Sequence, residues 1–177
     1  MREIELKFRI DDLDKLIQKL IDLGCEISDY KVQNDTIYVA NLDNTECVLG
    51  SIFLRVRKVN DQVELTLKKQ SNRISESQEI EFLVSDYDKA NDFLKVLGYK
   101  EWVRVNKKRR TTKIKEINIC LDEVEKLGNF IELECLASDN ESNSYEDKLL
   151  ALAESLDIDT AKLVNKHYDT MIAELKD

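Results

Sequence analysis

The chain begins with a stretch in which apolar and charged residues alternate without a break. In residues 2–10 the apolar positions are Ile4, Leu6, Phe8 and Ile10, and the charged positions between them include Glu3, Glu5, Lys7 and Arg9. Every second side chain of a β-strand lies on the same face of the strand. The pattern therefore predicts a strand with one apolar face and one charged face.

Seven later stretches also resemble strands, and four stretches have the periodicity of helices. The predicted strands cover residues 32–40, 51–59, 62–69, 78–84, 102–113, 116–123 and 130–136. The predicted helices cover residues 11–23, 86–97, 145–156 and 160–175. Gly24 and Gly98 follow the first two helices, at the position where helices commonly end in a left-handed residue. Ser144 and Asp147 have the spacing of a capping box for the third helix.

Two parts of the chain repeat each other. The residues Phe8, Ile10 and Asp12 recur 74 positions later as Phe82, Val84 and Asp86, and Leu23-Gly24 recurs at Leu97-Gly98 with the same offset. A second similarity relates residues 53–57 to residues 130–134. No linker separates the two copies. The repeat therefore predicts two similar halves within a single domain spanning residues 1–177.

Composition excludes several classes of protein. Of the 177 residues, 42% are hydrophobic and 36% are charged, which is typical of a globular domain. No apolar run is long enough to cross a membrane, and Met1 leads directly into a charged strand, so we expect no signal peptide and a cytoplasmic protein. The net charge of −9 disfavours nucleic acid as a partner. Oligomeric state stays open, and a homodimer is compatible with the sequence.

Four cysteines and one histidine limit the metal chemistry. Cys25, Cys47, Cys120 and Cys135 form no Cys-x-x-Cys pair, and we interpret them as free core residues in a reducing compartment. His167 alone cannot build a histidine metal site. A metal would therefore need carboxylate ligands, which favours a hard ion such as Mg²⁺ or Mn²⁺.

At least six of the predicted strands have an apolar face and a charged face. The charged groups are Glu3/Glu5/Lys7, Arg55/Arg57, Lys68, Glu79/Glu81, Lys107/Arg109 and Glu132/Glu134. Two arrangements satisfy this pattern. An antiparallel sheet can bury its apolar face under helices and leave its charged face in water. Alternatively, the sheet can close into a barrel whose charged face lines the lumen.

The spacing of like charges favours a ligand between the charged faces. Arg55 and Arg57 point the same way, roughly 7 Å apart, which suits adjacent phosphates. Paired glutamates in a lumen are costly unless a divalent cation neutralises them. A metal-bound polyphosphate rationalises both sets of charges. We therefore interpret the chain as an antiparallel sheet that binds such a ligand.

Several of these segments resemble one known family. Residues 3–7, Glu-Ile-Glu-Leu-Lys, are similar to the Glu-x-Glu-x-Lys motif of the CYTH superfamily, the triphosphate tunnel metalloenzymes. Leu54–Arg57, Lys68, Glu79 with Glu81, Lys107–Arg109 and Asp122 with Gly128–Glu134 resemble its later segments, in the same order. The resemblance implies an α+β fold in which a closed, eight-stranded antiparallel β-barrel, or tunnel, has a charged lumen and flanking helices.

The resemblance also implies roles for individual residues. The metal ligands, for Mg²⁺ or Mn²⁺, would be Glu3, Glu5, Asp122, Glu132 and Glu134. The ligands of a triphosphate substrate would be Lys7, Arg55, Arg57, Lys68, Lys107 and Arg109, of which Lys7, Lys107 and Arg109 would be catalytic. Glu79 and Glu81 would support the lumen through salt bridges. The roles of Asp35 and His167 stay open, because the spacing around Asp35 and the residues at 166–168 depart from the family pattern.

The family includes enzymes with different reactions. A class IV adenylate cyclase converts ATP to cyclic AMP and pyrophosphate, whereas the family's triphosphatases hydrolyse thiamine triphosphate or inorganic tripolyphosphate. The sequence Glu-Ile-Glu-Leu-Lys-Phe is more similar to the corresponding motif of the cyclases than to that of the triphosphatases. The resemblance therefore implies an enzyme, most similar to a cyclase, with a triphosphatase as the alternative and a non-catalytic polyphosphate-binding module as a further one.

Overall fold

The computed structural model describes residues 2–41, 51–70, 76–137 and 142–175. Its strands are β1 (Arg2–Ile10), β2 (Lys31–Val39), β3 (Ile52–Val59), β4 (Gln62–Gln70), β5 (Glu76–Val84), β6 (Lys100–Ile114), β7 (Ile117–Val124) and β8 (Gly128–Ala137). Its α-helices are α1 (Leu13–Asp22), α2 (Tyr87–Val96), α3 (Ser142–Ser155) and α4 (Tyr168–Glu174). The described residues thus contain the eight predicted strands in the predicted order, and an α-helix lies at or within each of the four predicted helical stretches.

The chain divides into two compact units that are interleaved in sequence. The first unit comprises Met1–Lys31 and Lys108–Asn165, and the second comprises Val32–Lys107 and Lys166–Asp177. Each unit contains one copy of the strand-helix repeat, since β1 and α1 belong to the first and β5 and α2 to the second.

In the first unit, β8 pairs antiparallel with both β1 and β7. Leu6 lies opposite Leu133 in this register, so the apolar faces of β1 and β8 coincide. The helices α1 and α3 contribute Leu20 and Leu149, which are fully buried in the same hydrophobic cluster as the strand residues. The apolar side of the alternation therefore forms the core of this unit, and the charged side faces away from it.

In the second unit, β2, β3, β4 and β5 pair antiparallel in that order. Leu54 and Val56 of β3 pack in one cluster with Ala90 and Leu94 of α2. Burial raises the pKa of Tyr38 to about 12, and its neutral hydroxyl donates a hydrogen bond of 2.7 Å to the side-chain oxygen of Asn91.

The repeat is visible in the local geometry of its two helices. The Asp12 side chain accepts a hydrogen bond of 2.9 Å from the backbone of Lys15, and Asp86 accepts one of 2.9 Å from Lys89. Both helices end at a glycine with positive φ, +84° at Gly24 and +94° at Gly98. An aspartate N-cap and a left-handed glycine thus define both copies.

The two copies differ in how much of the strand they bury. Leu6 and Phe8 of β1 are 9% and 0% exposed, whereas the repeat-equivalent Ile80 and Phe82 of β5 are each 54% exposed. In the first unit α3 packs on β1 and β8. The alternation at residues 78–84 predicts the strand correctly, but it does not distinguish a covered apolar face from an exposed one.

The last predicted helix, residues 160–175, is wrong in part. A short 3₁₀ turn covers Thr160–Lys162, and α4 begins only at Tyr168. Between them the backbone N–H of Val164 donates to the carbonyl of Lys7 at 2.8 Å, and Leu163 forms an isolated bridge with Phe8. These contacts hold the segment extended along β1.

The predicted capping box of the third helix is also wrong. The helix α3 begins at Ser142, three residues before the predicted start at Tyr145, so Ser144 lies within the first turn instead of capping it.

Candidate active site

The charged face of the first unit carries most of the predicted metal ligands. In the register of β1 and β8, Glu5 lies opposite Glu134 and Lys7 lies opposite Glu132. Residues that are directly opposite in a sheet share one face. The backbone of Glu3 is part of β1, but its side chain lies outside the described part of the structure.

Lys7 is buried between two of these carboxylates. Its ammonium nitrogen lies 3.2 Å from Glu5 and 3.2 Å from Glu132, and the residue is only 5% exposed. Burial alone would lower the pKa of Lys7, but the two carboxylates outweigh it and raise the pKa above the ordinary 10.5. Lys7 therefore keeps its positive charge throughout the physiological pH range.

Arg109 of β6 joins the remaining carboxylates of this face. Its guanidinium donates to both oxygens of Asp122, at 2.6 and 2.5 Å, and also to Glu132. A third carboxylate, Glu134, lies 3.9 Å away. Burial would lower the pKa of Arg109, but Glu132 and Asp122 raise it well above its ordinary value. Asp122 itself is fully buried.

These residues form what we call the acidic cluster: Glu5, Asp122, Glu132 and Glu134 with Lys7 and Arg109. The structure thus brings together four of the five predicted metal ligands and two of the predicted phosphate ligands. The carboxylate oxygens are the hard donors that Mg²⁺ and Mn²⁺ prefer, so the donor set fits the divalent ion that the sequence predicts.

Cys120 belongs to this face, which the sequence interpretation missed. Cys120 lies on β7, directly opposite Glu132 of β8, and its thiol donates to a carboxylate oxygen of Glu134 at 3.6 Å. Burial raises the pKa of the Cys120 thiol. Cys120 precedes Asp122 by two positions, and this spacing on a strand was the signal that could have assigned it to the charged face.

The other cysteines differ from Cys120. Cys135 is buried in the hydrophobic cluster of the first unit and Cys25 packs against that cluster, as expected for core residues. Neither of them forms a disulfide bond. Cys47 lies outside the described residues.

The second unit carries its own set of charges, which we call the basic cluster after its three cations. These are Arg55, Arg57 and Lys68, which contact Asp35, Glu64, Glu79 and Glu81. Arg57 donates two parallel hydrogen bonds of 2.7 Å to the carboxylate of Asp35. Burial would raise the pKa of Asp35, but Arg57 lowers it below its ordinary value. The structure therefore shows that Asp35 orients Arg57, a contact that the sequence left open.

Arg55 and Lys68 also contact acidic partners within the basic cluster. The Arg55 guanidinium lies 3.0 Å from the hydroxyl of Thr66, 3.4 Å from Glu64 and 3.6 Å from Glu81. Burial and the neighbouring Arg57 lower its pKa. The Lys68 ammonium lies 3.0 Å from Glu79. Glu79 and Glu81 thus contact the basic residues that they were predicted to support.

Lys107 and the residues around His167 complete the predicted set. Lys107 is 5% exposed, and its ammonium lies 4.9 Å from the centre of the Tyr168 ring, within range of a cation–π interaction. Tyr168 is a contact of the predicted site that sequence reasoning did not identify. His167 precedes it at the N-cap of α4 and makes no side-chain capping hydrogen bond.

Comparison with known proteins places this arrangement in a family. The model of the CYTH domain matches residues 1–168. A protein of Methanocaldococcus jannaschii named "Putative adenylate cyclase MJ0240" is 32% identical over 95% of this chain and 97% of its own length. The "Adenylate cyclase CyaB" of Aeromonas hydrophila is 26% identical over 96% of this chain and 87% of its own length.

Solved structures agree with the fold. The PH1819 protein of Pyrococcus horikoshii has a TM-score of 0.82 at 28% identity and covers 98% of this chain and 99% of its own. A protein of Hippeastrum, whose structure is described as revealing a dominant triphosphatase activity, shares the fold with a TM-score of 0.63 at 12% identity, over 99% of this chain and 95% of its own.

These findings confirm the predicted family, the predicted eight-stranded antiparallel fold with flanking helices, and the predicted enzymatic role. Among the described residues, none of the helices combines the length and the apolar character needed to cross a bilayer. The chain belongs to the CYTH domain family.

Proposed function

We propose that this protein is a metal-dependent enzyme that acts on a triphosphate substrate, and that it converts ATP to cyclic AMP and pyrophosphate. The observation that carries the proposal is the acidic cluster, where four carboxylates hold two cationic side chains on one buried face. Two relatives with adenylate cyclase in their names support ATP as the substrate. We further propose that residues 1–177 act as one domain.

The acidic cluster supplies the metal ligands in this proposal. Glu5, Asp122, Glu132 and Glu134 would hold Mg²⁺ or Mn²⁺, together with Glu3 from the start of β1. An ion bound there would supply positive charge that stabilises the charge developing on phosphoryl oxygens. Lys7 and Arg109 stay protonated at neutral pH and would exchange part of their contacts with carboxylates for contacts with phosphate oxygens.

The basic cluster supplies further phosphate ligands. Arg55, Arg57, Lys68 and Lys107 would bind the remaining phosphate oxygens, and Asp35 keeps the Arg57 guanidinium in a fixed orientation. Such pre-organised donors stabilise a transition state without reorganising during the reaction. In the cyclase reaction the ribose 3′-hydroxyl attacks the α-phosphorus, the bond to the pyrophosphate oxygen breaks, and the hydroxyl proton passes to solvent.

A triphosphatase is the second candidate function. The same clusters could orient a water molecule toward a terminal phosphorus, because both reactions need charge neutralisation and in-line geometry. The Hippeastrum structure, described as revealing a dominant triphosphatase activity, specifically favours this alternative. A non-catalytic polyphosphate-binding module is less well supported, because an anion binder gains nothing from four buried or half-buried carboxylates.

Product identification separates these functions. The purified protein is incubated with ATP, thiamine triphosphate or tripolyphosphate, each with Mg²⁺ or Mn²⁺, and the products are resolved by anion-exchange chromatography. Cyclic AMP with pyrophosphate supports the cyclase, and orthophosphate supports the triphosphatase. Metal-dependent binding without any product would refute both enzymatic assignments.

Matched variants connect the product to the two clusters. Glu132→Gln removes one charge with little change of shape, and Arg57→Gln removes one charge and shortens the side chain. Losing a charge-assisted contact of about 1.5–3 kcal/mol should lower kcat/KM roughly 10- to 150-fold in each case. Glu101→Gln is the control, because Glu101 forms its ion pair with Arg104 at 2.7 Å on an exposed part of β6. Equal activity of Glu101→Gln and Glu132→Gln would contradict the assignment of the acidic cluster.

A further inference from the structure

We propose that Cys120 is an additional metal ligand of the acidic cluster, and that its sulfur makes the site select a transition ion such as Mn²⁺, Co²⁺ or Zn²⁺ over Mg²⁺. This inference rests on the proposed function, since it concerns the metal of the same site. It adds a donor of a different chemical class to the carboxylates, and it narrows the choice of ion.

The strand register places the sulfur among the carboxylate oxygens. Cys120 is directly opposite Glu132, and Glu134 lies one pleat further along β8 on the same face. One ligand atom from each of Cys120, Glu132 and Glu134 lies within 4.8 Å of the other two. The donor atoms of all three residues therefore lie close to one another.

The distances are compatible with a shared ion. Zinc-type ions bind sulfur at about 2.3 Å and carboxylate oxygen at about 2.0–2.2 Å, so two ligands of one ion are at most about 4.5 Å apart. The three donor atoms lie within 4.8 Å of one another, which is of the same size as this value.

The contrast between two buried cysteines supports a specific role for Cys120. Both are almost inaccessible, with 5% exposure for Cys120 and 3% for Cys135. Cys135 lies in the hydrophobic cluster of the first unit. Cys120 instead contacts a carboxylate and faces the acidic cluster. A core-filling role explains the position of Cys135 but does not explain the surroundings of Cys120.

A sulfur ligand would change which metal ions the site prefers. Mg²⁺ binds oxygen ligands and retains water, whereas thiolate ligands favour the softer transition ions. On binding, the metal–sulfur bond replaces the S–H bond, and the proton leaves to solvent. Arg109 would give up part of its contact with Glu132 at the same time, because the ion and the guanidinium compete for the same carboxylate oxygens.

Cobalt provides a readout that does not depend on activity. A Co²⁺–thiolate bond produces a charge-transfer band in the near ultraviolet, which carboxylate ligands alone do not produce. The full chain is treated with a chelator, dialysed and titrated with Co²⁺, and binding of Mg²⁺, Mn²⁺, Co²⁺ and Zn²⁺ is measured by calorimetry. We expect the band with the unaltered chain and tighter binding of Co²⁺ and Zn²⁺ than of Mg²⁺.

Variants identify the ligand. Cys120→Ser should abolish the charge-transfer band and weaken Co²⁺ binding about tenfold or more, which corresponds to about 1.4 kcal/mol, while Mg²⁺ affinity changes less than twofold. Cys25→Ala, Cys47→Ala and Cys135→Ala are the matched controls and should retain the band. Circular dichroism establishes that each variant is folded, and Cys120→Ala serves as a second substitution if the serine variant is unstable.

The outcomes separate this inference from the proposed function. Co²⁺ binding without the band, or a band that survives Cys120→Ser, would show that the thiol is not a ligand and would leave the carboxylate site intact. A band lost in one of the control variants would overturn the inference too. If none of the four ions binds the unaltered chain, the metal assignment of the proposed function fails together with the inference.

Discussion

Replacing Asp35 by Asn should destabilise the protein by about 3 kcal/mol at neutral pH. The Asp35 carboxylate receives two hydrogen bonds of 2.7 Å from Arg57, and Asp35 is only 5% exposed. Asparagine has nearly the same shape, but it has no charge and can accept only one of these two hydrogen bonds without a clash. The substitution therefore leaves a guanidinium that is partly buried and has lost its main partner.

The expected magnitude follows from the burial of the pair. Removing one partner of a buried ion pair costs about 3–5 kcal/mol, because the other charge remains desolvated. The Arg57 side chain is 12% exposed and can recruit some solvent, which places the estimate at the lower end of that range. For a chain of this length, such a loss lowers Tm by about 6–12 °C.

The pH dependence identifies the cause of the effect. The pKa of Asp35 is lower in the folded state than its ordinary value of 3.8. The stabilisation by its charge is therefore fully present above about pH 4 and is lost as the pH falls through the folded-state pKa. The free energies of unfolding of the unaltered protein and of Asp35→Asn should approach each other as the pH falls from 3.8 through the folded-state pKa of Asp35, below which both side chains are neutral.

Urea denaturation at several pH values measures this difference. The midpoint should shift while the slope with urea stays constant, and a double-mutant cycle with Arg57→Gln should give a coupling energy of about 2–3 kcal/mol. A loss smaller than 0.5 kcal/mol, or a loss of constant size from pH 7 to pH 2.5, would refute the argument that the charge of Asp35 stabilises the fold through Arg57.

Four further substitutions test individual structural features by urea or thermal denaturation. Tyr38→Phe should cost about 1–3 kcal/mol because it leaves the buried Asn91 oxygen without its donor, and an unchanged midpoint would contradict that bond. Gly24→Ala and Gly98→Ala should cost about 1–2 kcal/mol each, and nearly the same amount, since both have positive φ and no heavy atom near the added carbon; a clear difference between them would argue against equivalent helix ends. Leu149→Ala should cost about 2–5 kcal/mol because the residue is fully buried, and a loss below 1 kcal/mol would mean that α3 does not complete the core of the first unit.

Local patterns were sufficient for most of the fold. The alternation of residues 2–10 predicts β1, because a half-buried strand requires it, and the aspartate and glycine signals predict the ends of α1 and α2 within two residues. The segment around Val164 could not be predicted in this way. Its helical periodicity is overridden by a backbone hydrogen bond to Lys7, more than 150 positions away in the sequence.

The site shows the same division between local and long-range information. Alternation and the family motif identify Lys7, Glu132 and Arg109 as residues of a charged face. They do not show which charges pair, because pairing depends on the strand register. Cys120 resembles a core residue until β7 is aligned with β8, and Asp35 gains a role only when β2 is aligned with β3. Register is set by tertiary packing, which no single stretch of sequence encodes.

The charges of the acidic cluster favour a cationic ligand. Counted over the residues of the cluster alone, four carboxylates face two cationic side chains, a difference of two negative charges, which equals the charge of one divalent ion. In the basic cluster, each of the three cations contacts at least one carboxylate. A divalent ion can therefore join the acidic cluster while Lys7 and Arg109 give up only part of their carboxylate contacts. Phosphate must compete with Asp35 and its neighbours for the cations of the basic cluster. We therefore expect metal to bind the free protein before the triphosphate does.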